Sequence, residues 1–131
     1  MSAKREVIPL PVRAPDTASG SGQPLSMVVR GEDFLVSGLT AVDLKSGERM
    51  QGTTASETRQ ILMNLKQLLD AAGSSLDKVV KVNVLLHSML EERNMNEVYA
   101  RFFPDQPPAR TVCGARLPDG VKVIVECTAL A

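Results

Sequence analysis

The spacing of apolar residues changes along this chain, and each change marks an element. Leu25 to Val29 and Phe34 to Ser37 read as two short strands joined by the turn Arg30-Gly31-Glu32-Asp33. A second turn signal follows at Asp43-Leu44-Lys45-Ser46-Gly47. The period then lengthens, with Ile61, Leu65, Leu68, Leu69 and Ala72 recurring at helical intervals. Thr54 and Glu57 stand at capping-box spacing before this helix, and Gly73 supplies its stop. From Val79 to Leu86 the residues are largely β-branched or aliphatic, with Val80, Val82 and Val84 on one side and Lys81 and Asn83 on the other. That alternation predicts a strand with at least one buried face.

A second helix is predicted from about Met89 to Phe103, with Met95, Val98, Tyr99, Phe102 and Phe103 as its apolar stripe; Pro104 cannot continue it. Two strands complete the chain: Ala109 to Leu117 and, after the turn Pro118-Asp119-Gly120, Val121 to Ala129. In the last strand Val121, Val123, Val125 and Cys127 share one face, and Lys122, Ile124 and Glu126 share the other. Pro15 to Pro24 reads as a loop. These elements describe a single α+β domain over residues 1–131, a mixed β-sheet with two helices packed on one face. The opposite face then needs cover, and a partner subunit is the economical source.

Composition narrows the function classes. At 131 residues one core is expected. Aromatic content is only 3%, with no Trp and one Tyr, so the core is aliphatic and stacking platforms for bases are scarce. Lys+Arg and Asp+Glu both number 15, which argues against a broad nucleic-acid footprint. No apolar run approaches membrane-spanning length, and Pro9 and Pro11 interrupt the stretch from Val7 to Val12. Cys113 and Cys127 are too few for a disulfide framework, and a buried reduced thiol is the expected state of each. A cytoplasmic location is the default. With His87 the sole histidine and two scattered cysteines, no metal-ligand spacing exists. Gly20-Ser21-Gly22 and Gly38 open no helix in the way a phosphate loop requires and read as turns.

The remaining candidate chemistry lies near the C-terminus. Arg110, in Pro107-Pro108-Ala109-Arg110-Thr111, stands at the mouth of a predicted strand, and Glu126 stands on the next one. A guanidinium offers a planar fork that matches a carboxylate, and a carboxylate side chain can orient a water and accept its proton. Each residue has a plainer reading. Arg110 could pair with an acidic side chain across a subunit interface, and Glu126 with Lys122 or Arg116. Cys113 has no nearby histidine to activate it and reads as a structural thiol.

Several stretches resemble the RidA/YjgF family, also known under the name endoribonuclease L-PSP. They are Ser37-Gly38 with the turn Lys45-Ser46-Gly47-Glu48, then Arg59-Gln60 with Asn64 and Ala71-Ala72-Gly73, and then Val79-Val80-Lys81-Val82. The specific match is C-terminal: Pro108-Ala109-Arg110, Arg116-Leu117-Pro118 and Val123-Ile124-Val125-Glu126. The resemblance implies a chorismate mutase-like (YjgF-like) homotrimer with ligand sites between subunits and no cofactor. It also implies hydrolysis of reactive enamines and imines such as 2-aminoacrylate to 2-oxo acids and ammonia. Arg110 would hold the substrate carboxylate and Glu126 would position the attacking water. Related members deaminate aminomuconate-type intermediates, others are described as ribonucleases, and a non-catalytic carboxylate-binding trimer is the remaining alternative. The chain departs from the pattern in two places. Pro24 is followed by Leu25 where active members often carry Tyr, so a ligand would meet an apolar wall suited to something larger or less polar than 2-aminoacrylate. The stretch from Arg110 to Leu117 is one residue shorter than is common, which leaves the match of Val112 or Cys113 to the family's frequent, ligand-lining cysteine open.

Overall fold

A computed structural model of the chain describes residues 5–9 and 25–131. The expected Pro15–Pro24 loop and the Gly20-Ser21-Gly22 turn lie outside those residues. The described elements are β1 (Glu6–Val7), β2 (Val28–Arg30), β3 (Phe34–Leu39), α1 (Thr54–Ala71), β4 (Val79–Leu86), α2 (Glu92–Phe102), β5 (Ala109–Gly114) and β6 (Val123–Leu130). They form one six-stranded sheet in the order β1-β2-β3-β6-β4-β5. Only β4 and β5 pair in parallel, through the crossover that contains α2; every other pair is antiparallel. The fold is therefore α+β with a mixed sheet and two helices, as the periodicity predicts.

The helix layer covers one face. Ile61, Leu62, Leu65, Leu68 and Leu69 of α1 and Met95 of α2 are fully buried, opposite Val82, Val84, Leu86, Val123 and Val125 of the central strands. This aliphatic layer supplies the core that one Tyr and three Phe cannot. The open face carries Val36 and Phe34, each nearly half exposed, with Leu130 beside them.

Four local expectations are corrected. The N-cap of α1 is Thr53, whose hydroxyl accepts from Ser56 N while Ser56 Oγ accepts from Thr53 N. The capping box is thus one residue upstream of Thr54 and Glu57. This frees Glu57, which is buried, to accept from the backbone N–H groups of Gly52 (3.1 Å) and Lys122 (2.9 Å), tying the start of α1 to the entry of β6. In β4 the register shifts between Val79 and Lys81, so Val79 takes the buried position and Val80 is pushed out of line with Val82 and Val84. A β-bulge inserts one unpaired residue and reverses the face of what precedes it. Finally, the expected strand at Leu25–Val29 begins only at Val28, and Met89–Glu91 forms a 3-10 turn ahead of α2. The predicted stop of α1 holds: Gly73 has φ 83°, and the bonds Gly73 N to Asp70 O and Ser74 N to Leu69 O close a Schellman motif.

Asn64, buried in α1, donates from Nδ2 to the Val42 carbonyl at 2.7 Å and accepts from Gln60 at 2.9 Å. It fastens to the helix layer the turn in which Asp43 Oδ1 accepts from Lys45 N and Ser46 N. Replacement by Leu keeps the branched shape but leaves the Val42 carbonyl without its donor, which costs about 1–3 kcal/mol. Urea unfolding of Asn64→Leu is expected to show that loss, and a midpoint equal to wild type would refute the anchoring role.

Candidate functional site

Arg110 follows Ala109 at the start of β5, an edge strand of the sheet. It pairs with Val82 of β4, which pairs with Cys127 of β6, so all three side chains point to the helix layer. There the half-buried guanidinium donates to Asn96 Oδ1 at 2.7 Å and stacks 4.6 Å above the centre of the Tyr99 ring. Asn96 and Tyr99 are three apart on α2 and so share one face of it. Both partners are neutral, and among the described residues Arg110 joins no ion pair. The cation is held in a defined place with its charge unspent.

Glu126 lies on the other face. It pairs with Gly38 on one side and Asn83 on the other, and Asn83 pairs in turn with Thr111. Within one chain, then, Arg110 and Glu126 sit on opposite faces with β4 between their strands. The sequence order suggests direct neighbours; the sheet order does not, because β6 enters between β3 and β4. Neither salt bridge considered for Glu126 is found: Lys122 reaches Glu57 at 3.9 Å, and Arg116 joins no ion pair among the described residues.

Glu126 and Leu25 line the same groove, about 460 Å³ in volume, together with Gly38, Leu39, Ile124 and Arg49. Leu25 is half exposed there. A Cβ built on Gly38 meets nothing within 4 Å, so backbone geometry does not demand glycine; its effect is to keep the space beside Glu126 clear. A smaller polar hollow on the same face, about 200 Å³, is lined by Glu126, Asn83, Lys81 and Ser37, and Lys81 Nζ donates to Thr111 Oγ1 at 2.8 Å.

Cys113 is exposed on the open face, where it pairs with Leu85, and so is not the buried thiol expected. It sits two strands from Glu126 and on the face opposite Arg110. Cys127 is buried, with Ser37 Oγ 3.2 Å from its sulfur; burial pushes its thiol up and the Ser37 contact opposes that shift. His87 is exposed just after β4. Asn96 carries no distinguishing signal in the sequence, and Arg49 is hidden there in an ordinary turn. Tyr99 was legible as core, which it is, but not as the platform for Arg110.

A family model described as Endoribonuclease L-PSP matches residues 16–131. A RutC family protein of Pyrococcus horikoshii is 41% identical over 108 residues, covering 81% of this chain and 86% of its own. Reactive Intermediate Deaminase A, chloroplastic, of Arabidopsis thaliana is 29% identical over 130 residues, covering 98% of this chain and 67% of its own. The crystal structure of RidA from an Antarctic Psychrobacter superposes with a TM-score of 0.77 at 28% identity, over 84% of this chain and 90% of that one.

Burial pushes the Tyr99 phenol up to about 12, against the opposing pull of the Arg110 cation. The unfolded chain would titrate near 10. Below pH 10 the phenol is neutral in both states and this contribution to stability is complete. Between 10 and 12 the unfolded state loses its proton first, so stability falls as pH rises, by about 2–3 kcal/mol in all. With one Tyr and no Trp in the chain, absorbance near 295 nm reads this group alone. A native midpoint close to 10 would refute the assignment. The Tyr99 hydroxyl also has no partner among the described residues. Tyr99→Phe is therefore expected to keep neutral-pH stability within about 1 kcal/mol and to remove this part of the alkaline loss.

Proposed function

The chain belongs to the endoribonuclease L-PSP family, whose members include the RidA proteins, and from that premise we propose that it hydrolyses small enamine and imine carboxylates to 2-oxo acids and ammonia. The observation that carries this reading is the Arg110 guanidinium, fixed by Asn96 and Tyr99 but matched by no carboxylate among the described residues. A permanent cation prepared in this way suits a small organic acid. The relative named Reactive Intermediate Deaminase A supports the same class of reaction.

One chain cannot present Arg110 and Glu126 to the same small molecule, since they occupy opposite faces. The proposal therefore includes a homotrimer in which Arg110 of one copy approaches the Glu126 groove of the next. Two features favour such assembly: the apolar open face around Phe34 and Val36, and the free edge of β5. In the shared site Arg110 holds the carboxylate, Leu25 forms an apolar wall, and an enamine tautomerises to its imine. Water beside Glu126 adds to the imine carbon, Glu126 takes its proton, and the carbinolamine collapses to the oxo acid and ammonium. An iminium carbon is already electrophilic, so positioning and charge stabilisation suffice. Cys113, exposed and remote from Glu126, is given no catalytic step; in the assembly it would at most line the ligand's approach. The compartment proposed is the cytoplasm, in keeping with two free thiols.

A binding protein without turnover is the second reading, favoured by Leu25, which can neither stack on nor hydrogen-bond a ligand. One assay separates the two. With 2-aminoacrylate generated in situ, wild type is expected to accelerate oxo-acid release. Arg110→Ala should lower kcat/KM about 10²-fold, and Glu126→Gln should lower kcat by a similar factor with a smaller change in KM. Equal release with and without wild-type protein would defeat the deaminase. Light scattering is expected to give a mass of three chains, and a monomer would defeat the shared site.

A further inference from the structure

Arg49 lines the groove that holds Leu25 and Glu126, yet nothing in the reading above uses it. It stands at the close of the turn that begins at Asp43, bridged to Val42 across that turn. One guanidinium nitrogen, Nη1, donates to the Asp119 carbonyl at 3.2 Å. That bond ties Arg49 to the Pro118-Asp119-Gly120 turn, whose Pro118 also lines the groove. Like Arg110, it joins no ion pair among the described residues, Glu126 included. An arginine has five N–H donors, and a single carbonyl occupies only one of them. The remaining donors are available to an anion at the rim of a groove whose walls, Leu25, Leu39, Val42 and Ile124, are apolar.

Size points the same way. The groove of one chain, about 460 Å³ before Arg110 of the next copy approaches it, has room for a ligand larger than a three-carbon acid such as 2-aminoacrylate. An apolar stretch of ligand would lie along Leu25 and Ile124. Arg49 supplies a charged terminus for it to reach.

We propose that Arg49 is a specificity-determining residue that binds the distal carboxylate of a dicarboxylic imine, so that the preferred substrates are imino diacids of about five carbons. This rests on the deaminase reading and names the substrate class of that same site. The reaction is the one already given: 2-iminoglutarate and water yield 2-oxoglutarate and ammonium. The imine C=N bond is replaced by C=O, and the nitrogen leaves with the protons of the added water. No oxidant enters that step.

The test compares two imines of matched length. 2-Iminoglutarate is made in situ from glutamate by a glutamate oxidase with molecular oxygen. The imine of norvaline, made by an L-amino acid oxidase, carries a methyl in place of the distal carboxylate. Wild type is expected to favour 2-iminoglutarate in kcat/KM by about 10- to 100-fold, the range of a charge-assisted hydrogen bond. In Arg49→Met that ratio should collapse, mainly through KM, and Arg49→Lys should restore part of it. A ratio within about twofold of wild type in Arg49→Met overturns the proposal. So does an equal fall for both imines, which would make Arg49 a general carboxylate holder.

Thermal shift with glutarate against valerate reads the same contact without turnover. Stabilisation by glutarate in wild type but not in Arg49→Met supports the distal site even if no imine is hydrolysed, an outcome that would defeat the deaminase reading alone. Equal shifts with both acids overturn the distal site.

Discussion

Side chains alternate across a β-strand, and the described helices cover only one of the two faces of this sheet. Everything about the site follows from those two facts. The row Ser37, Cys127, Val82 and Arg110 points into the helix layer; the next row, Gly38, Glu126, Asn83 and Thr111, points out of it. Adjacent rows cannot be brought to one face without slipping a strand, and a one-residue slip would expose the Val82–Val84–Leu86 core. The cation and the carboxylate are thereby held apart within one chain, and chemistry that used both would require a contact between chains.

How each cation is held separates structural arginines and lysines from candidate functional ones. Arg30 is anchored by Glu6 and by the Ala72 carbonyl that ends α1, and Lys122 lies beside the buried Glu57. Their charges serve the fold. Arg110 instead rests on an amide oxygen and an aromatic face. A hydrogen bond from a charged group contributes about 1.5–3 kcal/mol and a cation over a ring about 0.5–2 kcal/mol, enough to fix the side chain without neutralising it. Arg49 is held by a single peptide carbonyl. Two cations so placed, one in the helix layer at the edge strand and one at the rim of the open-face groove, are held in position without an ion-pair partner among the described residues.

The groove itself depends on small devices far from it. Asn64 in α1 bonds the Val42 carbonyl, and the Asp43 carboxylate closes the following turn on the N–H groups of Lys45 and Ser46. Gly47, at φ 76°, completes that turn where a side chain would be strained. Together these set the wall that carries Val42 and Arg49 opposite Leu25. Glu57 does the same for the entry to β6 by binding Lys122 N, which fixes where Ile124 and Glu126 emerge.

Periodicity alone located the elements, since burial on one side of a helix or strand leaves a local trace: Ile61 to Leu69, Met95 to Tyr99 and Val123 to Cys127 lie in the expected elements and face the core, although the last strand begins at Val123 rather than Val121. The α+β class followed from their order, and the C-terminal motif identified the family. Three things had no local trace. The insertion of β6 between β3 and β4 is a choice among strand pairings distant in sequence, and it decided that Arg110 and Glu126 are not neighbours. The bulge that turned Val80 outward depended on which strand lay beside it. The partners of Arg110, fourteen residues away at Asn96 and eleven at Tyr99, met it only because a parallel crossover laid α2 over β5. Residue types show what chemistry is available, but which side chains share a space is settled by long-range pairing and packing, whose energies belong to no single segment.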